Sequence, residues 1–206
     1  MSIVSFFAKG LLIGFSIAAP VGPIGVLCIR QTLTYGIMVG FACGFGAAAA
    51  DVIYGLIGGL GLTFISSFLI SQKTILSIAG GIFLGYLGIK TLLEKPAEET
   101  THAQHQNLVS SFLSTFFLTL TNPMTILSFT AVLAGLGLGS ADATYLTALA
   151  LVFGIFIGSL MWWLILCGSV AYFRDKVTSE NLLWINRTSG LIILAFAVVI
   201  LLSVCK

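Results

Sequence analysis

Long stretches without charged side chains dominate this chain and restrict the folds available to it. Asp51 is the one charged residue inside any of these stretches. The six stretches cover residues 10–29, 37–62, 74–89, 108–136, 143–173 and 188–205. A helix needs about 20 apolar residues to cross the hydrocarbon core of a bilayer. We therefore predict an all-α polytopic membrane protein with six transmembrane helices, over residues 4–29, 37–62, 73–92, 109–136, 145–172 and 187–205.

The composition supports a protein surrounded by lipid rather than by water. Hydrophobic residues make up 58% of the chain, charged residues only 8%, and the mean hydropathy is +1.13. Soluble domains usually contain about 25% charged residues. The net charge of +2 is small and the basic residues are scattered, whereas nucleic-acid-binding proteins cluster them. We expect membrane lipids as partners and no nucleic acid.

A polar segment at residues 94–107 divides the predicted helices into two groups of three. We expect residues 1–93 to form a first three-helix repeat, 94–107 a polar linker and 108–206 a second repeat, all within one integral membrane domain. Each half holds an odd number of helices, so the second half would run opposite to the first. This is the arrangement of a 3+3 inverted repeat, which is common in secondary transporters.

Proline motifs interrupt the first and fourth apolar stretches at corresponding places. Residues 19–23 read Ala-Pro-Val-Gly-Pro, residues 121–123 read Thr-Asn-Pro, and Pro23 and Pro123 are 100 positions apart. A proline removes a backbone donor from a helix, which lipid tolerates only where the freed groups are buried in protein or line a cavity. Paired interruptions of this kind point to the binding site of a transporter. We predict that both spans are broken here, with two simple kinks as the alternative.

The helix segments that begin after these breaks are candidates for binding a carboxylate. A helix start presents unpaired backbone N–H groups and the positive end of the helix dipole. The side-chain amide of Asn122 can also cap its segment or contact a ligand. The candidate substrate-binding residues at the breaks are Pro20, Gly22, Pro23, Asn122 and Pro123.

Asp51 is the strongest single candidate for a functional side chain. An acidic residue at the bilayer centre costs roughly 2.5–3.5 kcal/mol on insertion scales, so it must be paired, hydrated or protonated. A protonated Asp51 would carry a proton, and a charged one would bind an ammonium group; a purely structural carboxyl is the alternative. Tyr54 lies one helical turn further on the same face and could bond Asp51 or the substrate. Asp51 and the helix starts together suit a zwitterionic amino acid.

A weaker similarity relates the helices that follow the two breaks. Gly46, with Asp51 five residues later, matches Gly154, with Ser159 five residues later. The match requires an insertion of eight residues in the second half. If the halves are equivalent, Ser159 occupies the position of Asp51, and the first half supplies the only charge of the site.

Glycines recur at intervals of four residues along three of the predicted helices. In lipid, small residues allow the close backbone approach that holds helices together. We expect these faces to pack helices within one subunit, with a homodimer interface as the alternative. The glycines concerned are Gly36, Gly40, Gly44, Gly81, Gly85, Gly154 and Gly158.

The distribution of Lys and Arg predicts the orientation in the membrane. If both termini lie outside, the inner segments hold six of these residues and the outer segments three. Positive residues favour the cytoplasmic side, so we expect the termini outside and the linker 94–107 in the cytoplasm. Arg30 would lie at the cytoplasmic end of the first helix, as a topology anchor or as a gate residue.

The polar inventory argues against an enzyme and against a bound cofactor or metal. Both histidines, His102 and His105, fall in the linker, so no predicted helix can pair a Ser or Cys nucleophile with a His. Soft metals prefer clustered thiolate or imidazole ligands, and only Cys28 and Cys43 lie near the first break. An exporter of metal cations or cationic drugs on the same scaffold remains the alternative function.

Taken as a set, these motifs resemble the LysE/RhtB amino-acid exporters. The resemblance covers nearly the whole chain, and its departure is Val21, where many members have a direct Pro-Gly-Pro. It implies a secondary transporter that exports amino acids across the bacterial inner membrane, driven by the proton gradient and in some cases dimeric. The residues that carry it are 19–23, Arg30–Leu33, Gly36, Gly40, Gly44, Gly46, Asp51, Tyr54, Asn122 and Pro123.

Overall fold

The computed structural model describes residues 2–20, 22–59, 71–93, 107–135, 144–174 and 178–204. Within these ranges every regular element is a helix, which confirms the predicted all-α class. The eight helices are α1 (Ile3–Ala18), α2 (Pro23–Tyr35), α3 (Ile37–Gly59), α4 (Lys73–Leu93), α5 (Leu108–Thr121), α6 (Pro123–Gly135), α7 (Tyr145–Tyr172) and α8 (Ser179–Val204).

Four of these helices, α3, α4, α7 and α8, are long and apolar enough to cross a membrane alone. The other four form two bent pairs. The axes of α1 and α2 differ by 79°, and those of α5 and α6 by 61°. The described residues therefore provide four membrane-span candidates, or up to six if each bent pair counts as one span.

Two predicted helix boundaries are wrong. The first helical region does not end at residue 29, because α2 continues to Tyr35 and contains Arg30. The last helix does not begin at residue 187, because α8 starts at Ser179 and contains Arg187. A charge marks the end of a helix only where lipid would otherwise surround it, and Arg30 is buried against protein. Residues 94–106 of the predicted linker lie outside the described ranges.

The main helix contacts join the first half of the chain to the second. Helix α1 packs along α7, α5 packs along α3, and α4 packs along α8. Helices α3 and α7 also pack against each other, and α2 contacts α3, α7 and α8. The two halves therefore do not form separate bundles, and the residues of α3 and α7 lie at the centre of the molecule.

Glycines allow α1 and α7 to approach until their backbones touch. A Cβ atom added at any of four glycines would collide with a backbone carbonyl of the opposite helix. The pairs are Gly10 with Leu151, Gly14 with Ile155, Gly154 with Phe7, and Gly158 with Leu11. Because lipid provides little hydrophobic drive for helix association, this contact is a major source of cohesion.

Most of the other predicted glycine faces also meet helices of the same chain. Gly40 faces Thr32, Gly44 faces Trp163 and Gly81 faces Leu201, whereas Gly85 faces open space. The prediction that small residues pack helices within one subunit is confirmed at the first three of these glycines and wrong at Gly85.

Gly36 forms the short turn between α2 and α3. Its φ of 101° lies in the left-handed region, which costs glycine little because it has no Cβ. Arg174, just after α7, donates from Nε to the carbonyl of Leu33 at 3.4 Å. A cation at this position stabilises the negative end of the α2 dipole.

Replacing Gly158 with alanine should destabilise the fold, whereas replacing Gly168 on the same helix should not. The methyl group at position 158 would meet the backbone of α1, and overpacking of this kind costs about 1–3 kcal/mol. Nothing lies within 4 Å of a Cβ at Gly168, where alanine is the better helix former. Thermal unfolding in detergent micelles measures the difference, and equal midpoints for Gly158→Ala and Gly168→Ala would contradict the close packing.

Candidate functional site

Asp51 is buried at the contact between α3 and α7, where it accepts a hydrogen bond from α7. The hydroxyl of Ser159 donates to Oδ2 of Asp51 at 2.7 Å. Nε1 of Trp163 donates in turn to the Ser159 hydroxyl at 3.2 Å. Only 3% of Asp51 is exposed, and Ser159 is fully buried. The acidic side chain predicted from the sequence is thus held by two side chains of the opposite half.

Local sequence explains why α3 and α7 can meet at this point. Gly44 and the alanines 47, 48 and 50 give α3 a face of small side chains before Asp51, and the Trp163 side chain packs against Gly44. Ser159 and Trp163 are four residues apart, which places them on one face of α7. The two residues that the weak sequence match pairs, Asp51 and Ser159, therefore touch each other.

Tyr54 contacts the second break rather than Asp51. Its hydroxyl donates to the backbone carbonyl of Leu120 at 2.6 Å, and its ring stacks on Phe129 of α6 at 5.3 Å between centroids. In a continuous helix that carbonyl would accept from the amide of Met124, four residues on. The Met124 amide instead donates to the Asn122 side chain. Tyr54 therefore satisfies an acceptor that the break sets free.

Asn122 satisfies most of the remaining backbone groups at the second break. Its own amide donates to the carbonyl of Thr119 at 3.2 Å, and its side-chain oxygen caps α6 by accepting from Met124 at 3.1 Å. Pro123 is the first residue of α6, where its missing N–H costs nothing. This break is closed by the protein's own side chains.

The first break lacks such a cap. Helix α1 ends with the amide of Ala19 donating to Phe15, and α2 begins at Pro23. The N-cap residue of α2 is Gly22, which has no side chain to accept from the first amides of the helix. A Cβ added at Gly22 would meet nothing within 4 Å, and Pro20 is exposed. The start of α2 therefore lacks a side-chain cap, unlike the start of α6, although Pro23 and the next two residues are buried.

Ring and backbone contacts bring both breaks to the level of Asp51. The Phe15 ring, three residues before the end of α1, meets the Trp162 ring edge-on at 5.5 Å between centroids. Trp162 is three residues after Ser159. On the other side, Tyr54 is three residues after Asp51 and bonds the end of α5. A residue near each break thus contacts a side chain one helical turn from Asp51 or Ser159.

Arg30 belongs to a second buried polar cluster, on α2 and α8. It is 3% exposed, and its Nε donates to Oδ1 of Asn186 at 3.0 Å. Its guanidinium also lies over the Tyr35 ring at 5.9 Å. The side-chain oxygens of Gln31 and Thr34 are buried on the same helix without a hydrogen-bond partner. Sequence reasoning missed Asn186, because a lone Asn in an apolar helix carries no pattern.

The three cysteines that the structure describes share one hydrophobic cluster and form no metal site with other described residues. Cys28, Cys43 and Cys167 are free thiols buried in one hydrophobic cluster of α2, α3 and α7. Among the described residues no group of three or more His, Cys, Asp or Glu side chains has a geometry that could hold a metal ion. Structure thus adds no support to the metal-exporter alternative.

An open groove of about 550 Å³ runs between α4 and α5. Its lining includes none of the predicted site residues, although Thr121 at the end of α5 is part of it. The buried hydrogen bonds around Asp51 and the uncapped start of α2 are better evidence for a site, because they combine a carboxyl group, donors and a helix end.

Two bent helix pairs and a buried carboxylate, in a chain whose described residues provide four to six membrane-span candidates, are typical of membrane transporters. The family model described as "LysE type translocator" matches residues 15–204. The chain belongs to this family. It is 28% identical, over 93% of its own length and 93% of the relative's, to a protein of Bacillus subtilis (strain 168) named "Putative amino acid efflux protein YcgF". No solved structure matches the chain.

Removing the Tyr54 hydroxyl should weaken the second break. We expect Tyr54→Phe to keep the ring contact with Phe129 but to leave the Leu120 carbonyl without a donor, at a cost of about 1–2 kcal/mol. Tyr86→Phe is the matched control, since Tyr86 is 59% exposed. Thermal unfolding in detergent checks both, and an unchanged midpoint for Tyr54→Phe would show that water or another donor serves this carbonyl.

Proposed function

We propose that this protein is a secondary transporter that exports amino acids across the bacterial inner membrane, driven by the proton gradient. Membership of the LysE type translocator family and the name of the Bacillus subtilis relative support the export of amino acids. The observation that carries the proton coupling is the buried Asp51, held between the two halves of the chain beside both helix breaks.

We also propose a 3+3 inverted repeat in which α1–α2 and α5–α6 are the broken first spans of the two halves. The packing of the helices supports this repeat. Helix α1, which begins the first half, lies on α7, and helix α5, which begins the second half, lies on α3. In each pair, the first helix of one half contacts the second span of the other half. Two phenylalanine rings meet in each pair. Phe7 contacts Phe153 at 6.0 Å, and Phe112 contacts Phe45 at 5.9 Å.

The glycines beside these rings follow the same symmetry. A Cβ at Gly154 would strike the carbonyl of Phe7, and one at Gly46 would strike the carbonyl of Phe112. The sequence match of Gly46 and Asp51 with Gly154 and Ser159 agrees with this pairing. On a pseudo-twofold axis between the halves, equivalent residues meet, as Asp51 and Ser159 do.

In the proposed site, the substrate binds between the breaks and Asp51. Its carboxylate would lie at the uncapped start of α2, near Pro20, Gly22 and Pro23, where backbone amides and the helix dipole favour an anion. Its ammonium group would bind Asp51. Tyr54, Asn122 and Pro123 shape the opposite wall, since their polar groups hold the second break together.

Competition between an ammonium group and a proton for Asp51 would couple the two fluxes. A charged carboxylate is costly in the membrane interior unless a cation or a proton neutralises it. The conformational change that moves the site from one side of the membrane to the other would therefore be unfavourable while Asp51 is charged and unoccupied. The same change would be favourable with a bound substrate or with a protonated Asp51. This yields exchange of an outgoing amino acid for an incoming proton.

Arg30 would act at the cytoplasmic entrance as a gate residue. Its bond to Asn186 ties α2, the second part of the proposed first span, to the last helix. We also propose that both termini lie outside and that the linker at 94–107 is cytoplasmic. For the oligomeric state, a homodimer is the alternative to a monomer. The charge distribution supports the orientation.

Neutralising Asp51 should abolish coupled export. Cells or vesicles loaded with labelled leucine, threonine or lysine should release at least one of them faster with the wild-type protein than without it. Asp51→Asn should reduce this efflux at least tenfold, because it cannot carry a proton or pair with an ammonium group. Asp142→Asn, a similar change outside the predicted helices, is the control. Normal efflux by Asp51→Asn would remove this residue from the mechanism.

Breaking the Arg30–Asn186 bond should impair export without preventing folding. We expect Asn186→Ala to lower the efflux rate about five- to tenfold, consistent with the loss of a hydrogen bond to a charged group. The neighbouring exposed Arg187→Ala should stay near the wild-type rate. Comparable efflux from the two variants, at matched amounts of protein, would argue against the gate.

A further inference from the structure

On the basis of the export function proposed above, we propose that Ser159, oriented by Trp163, positions the Asp51 carboxylate for its ligand. Neither residue of α7 was a candidate for binding, and both lie in the half of the chain that does not carry the charge. Their contact with Asp51 spans 108 positions of the sequence.

The donor and acceptor capacities of the three side chains fix the direction of the hydrogen bonds. An indole N–H can only donate, whereas a hydroxyl donates once and accepts twice. Trp163 therefore occupies an acceptor position of the Ser159 oxygen. The single hydrogen of Ser159 then points to Asp51, which is the final acceptor. In this order, from Trp to Ser to Asp, both α7 side chains donate towards the carboxyl group.

Burial makes this chain of hydrogen bonds effective. Asp51, Ser159 and Trp163 are 3%, 0% and 5% exposed, so water competes poorly for their polar atoms. Hydrogen bonds to a charged group in such surroundings are stronger, and linked bonds polarise one another. The Trp163 side chain is itself held against Gly44 of α3, which leaves no room for another side chain there.

One oxygen of the carboxylate is therefore committed to the protein, and the other is presented to the ligand. Ser159 holds Oδ2, which fixes the rotation of the carboxyl group. The remaining oxygen, Oδ1, is the atom that would meet the ammonium group of an amino acid or a proton. Ser159 acts through Asp51, so its loss should alter substrate affinity more than the maximal rate.

Efflux kinetics in proteoliposomes test this role. With the exported amino acid among labelled leucine, threonine and lysine, we expect Ser159→Ala to raise the half-saturating concentration about tenfold or more. Its maximal rate should stay within about threefold of wild type. Ser159→Thr keeps the hydroxyl and should restore most of the affinity. Trp163→Phe keeps an aromatic ring but not the N–H, and should give an intermediate half-saturating concentration.

Thr115→Ala is the matched control. It removes an equally buried hydroxyl that also ties α3 to another helix, by donating to the Cys43 carbonyl at 2.7 Å, but it does not touch Asp51. Its half-saturating concentration should match that of wild type. Equal values for Ser159→Ala and Thr115→Ala would overturn the proposal. If Ser159→Thr fails to fold, the Trp163→Phe variant is sufficient as a test. A wild-type affinity in that variant would overturn the role of Trp163.

A double-mutant cycle measures the contact without relying on transport. Thermal unfolding of Asp51→Asn, Ser159→Ala and the double variant should be non-additive, because the two side chains bond directly. Additive effects would overturn the positioning role. A wild-type protein that exports no amino acid would instead refute the proposed function, and the cycle would still decide whether Ser159 and Asp51 are coupled.

Discussion

Inside a bilayer every backbone N–H and C=O group must have a hydrogen-bond partner within the protein. The rest of this structure depends on how the backbone groups next to the prolines obtain such partners. At the second break Tyr54 donates to the Leu120 carbonyl, and the side chain of Asn122 caps α6. At the first break α2 starts on a glycine without a side-chain cap. Two similar motifs therefore have different consequences. A side chain caps the helix that follows the second break, whereas no side chain caps the helix that follows the first.

Close packing of small residues keeps these breaks in place. Four glycines let the backbones of α1 and α7 touch, and Gly46 does the same between α3 and α5. A proline break loses helix hydrogen bonds, and lipid supplies little force to hold the two pieces together. Helices α1 and α5, which precede the two breaks, therefore each pack mainly on a helix from the other half of the chain. The Asp51–Ser159 bond joins α3 and α7, the two helices on which α5 and α1 pack.

Much of the fold and part of the site were predictable. The chain's apolar stretches identified the helical class, the prolines marked where α2 and α6 begin, and the rarity of acids singled out Asp51. The burial of Arg30 was not predictable, because charge alone does not say whether an arginine meets water or another helix. The partner of Tyr54 was missed for a related reason. Helical spacing placed it near Asp51, but a free carbonyl on another helix competed for its hydroxyl.

The sequence by itself determined that the chain is helical and apolar enough to span a membrane, that two helical regions must be interrupted, and that one carboxylate has to be accounted for. These are local properties, set by the solvent that each segment can tolerate and by the geometry of proline. Tertiary structure alone decided which groups meet. Ser159 bonds Asp51, Trp163 bonds Ser159 and Asn186 bonds Arg30, because hydrogen bonds between distant helices depend on their packing and leave no periodic trace in the sequence.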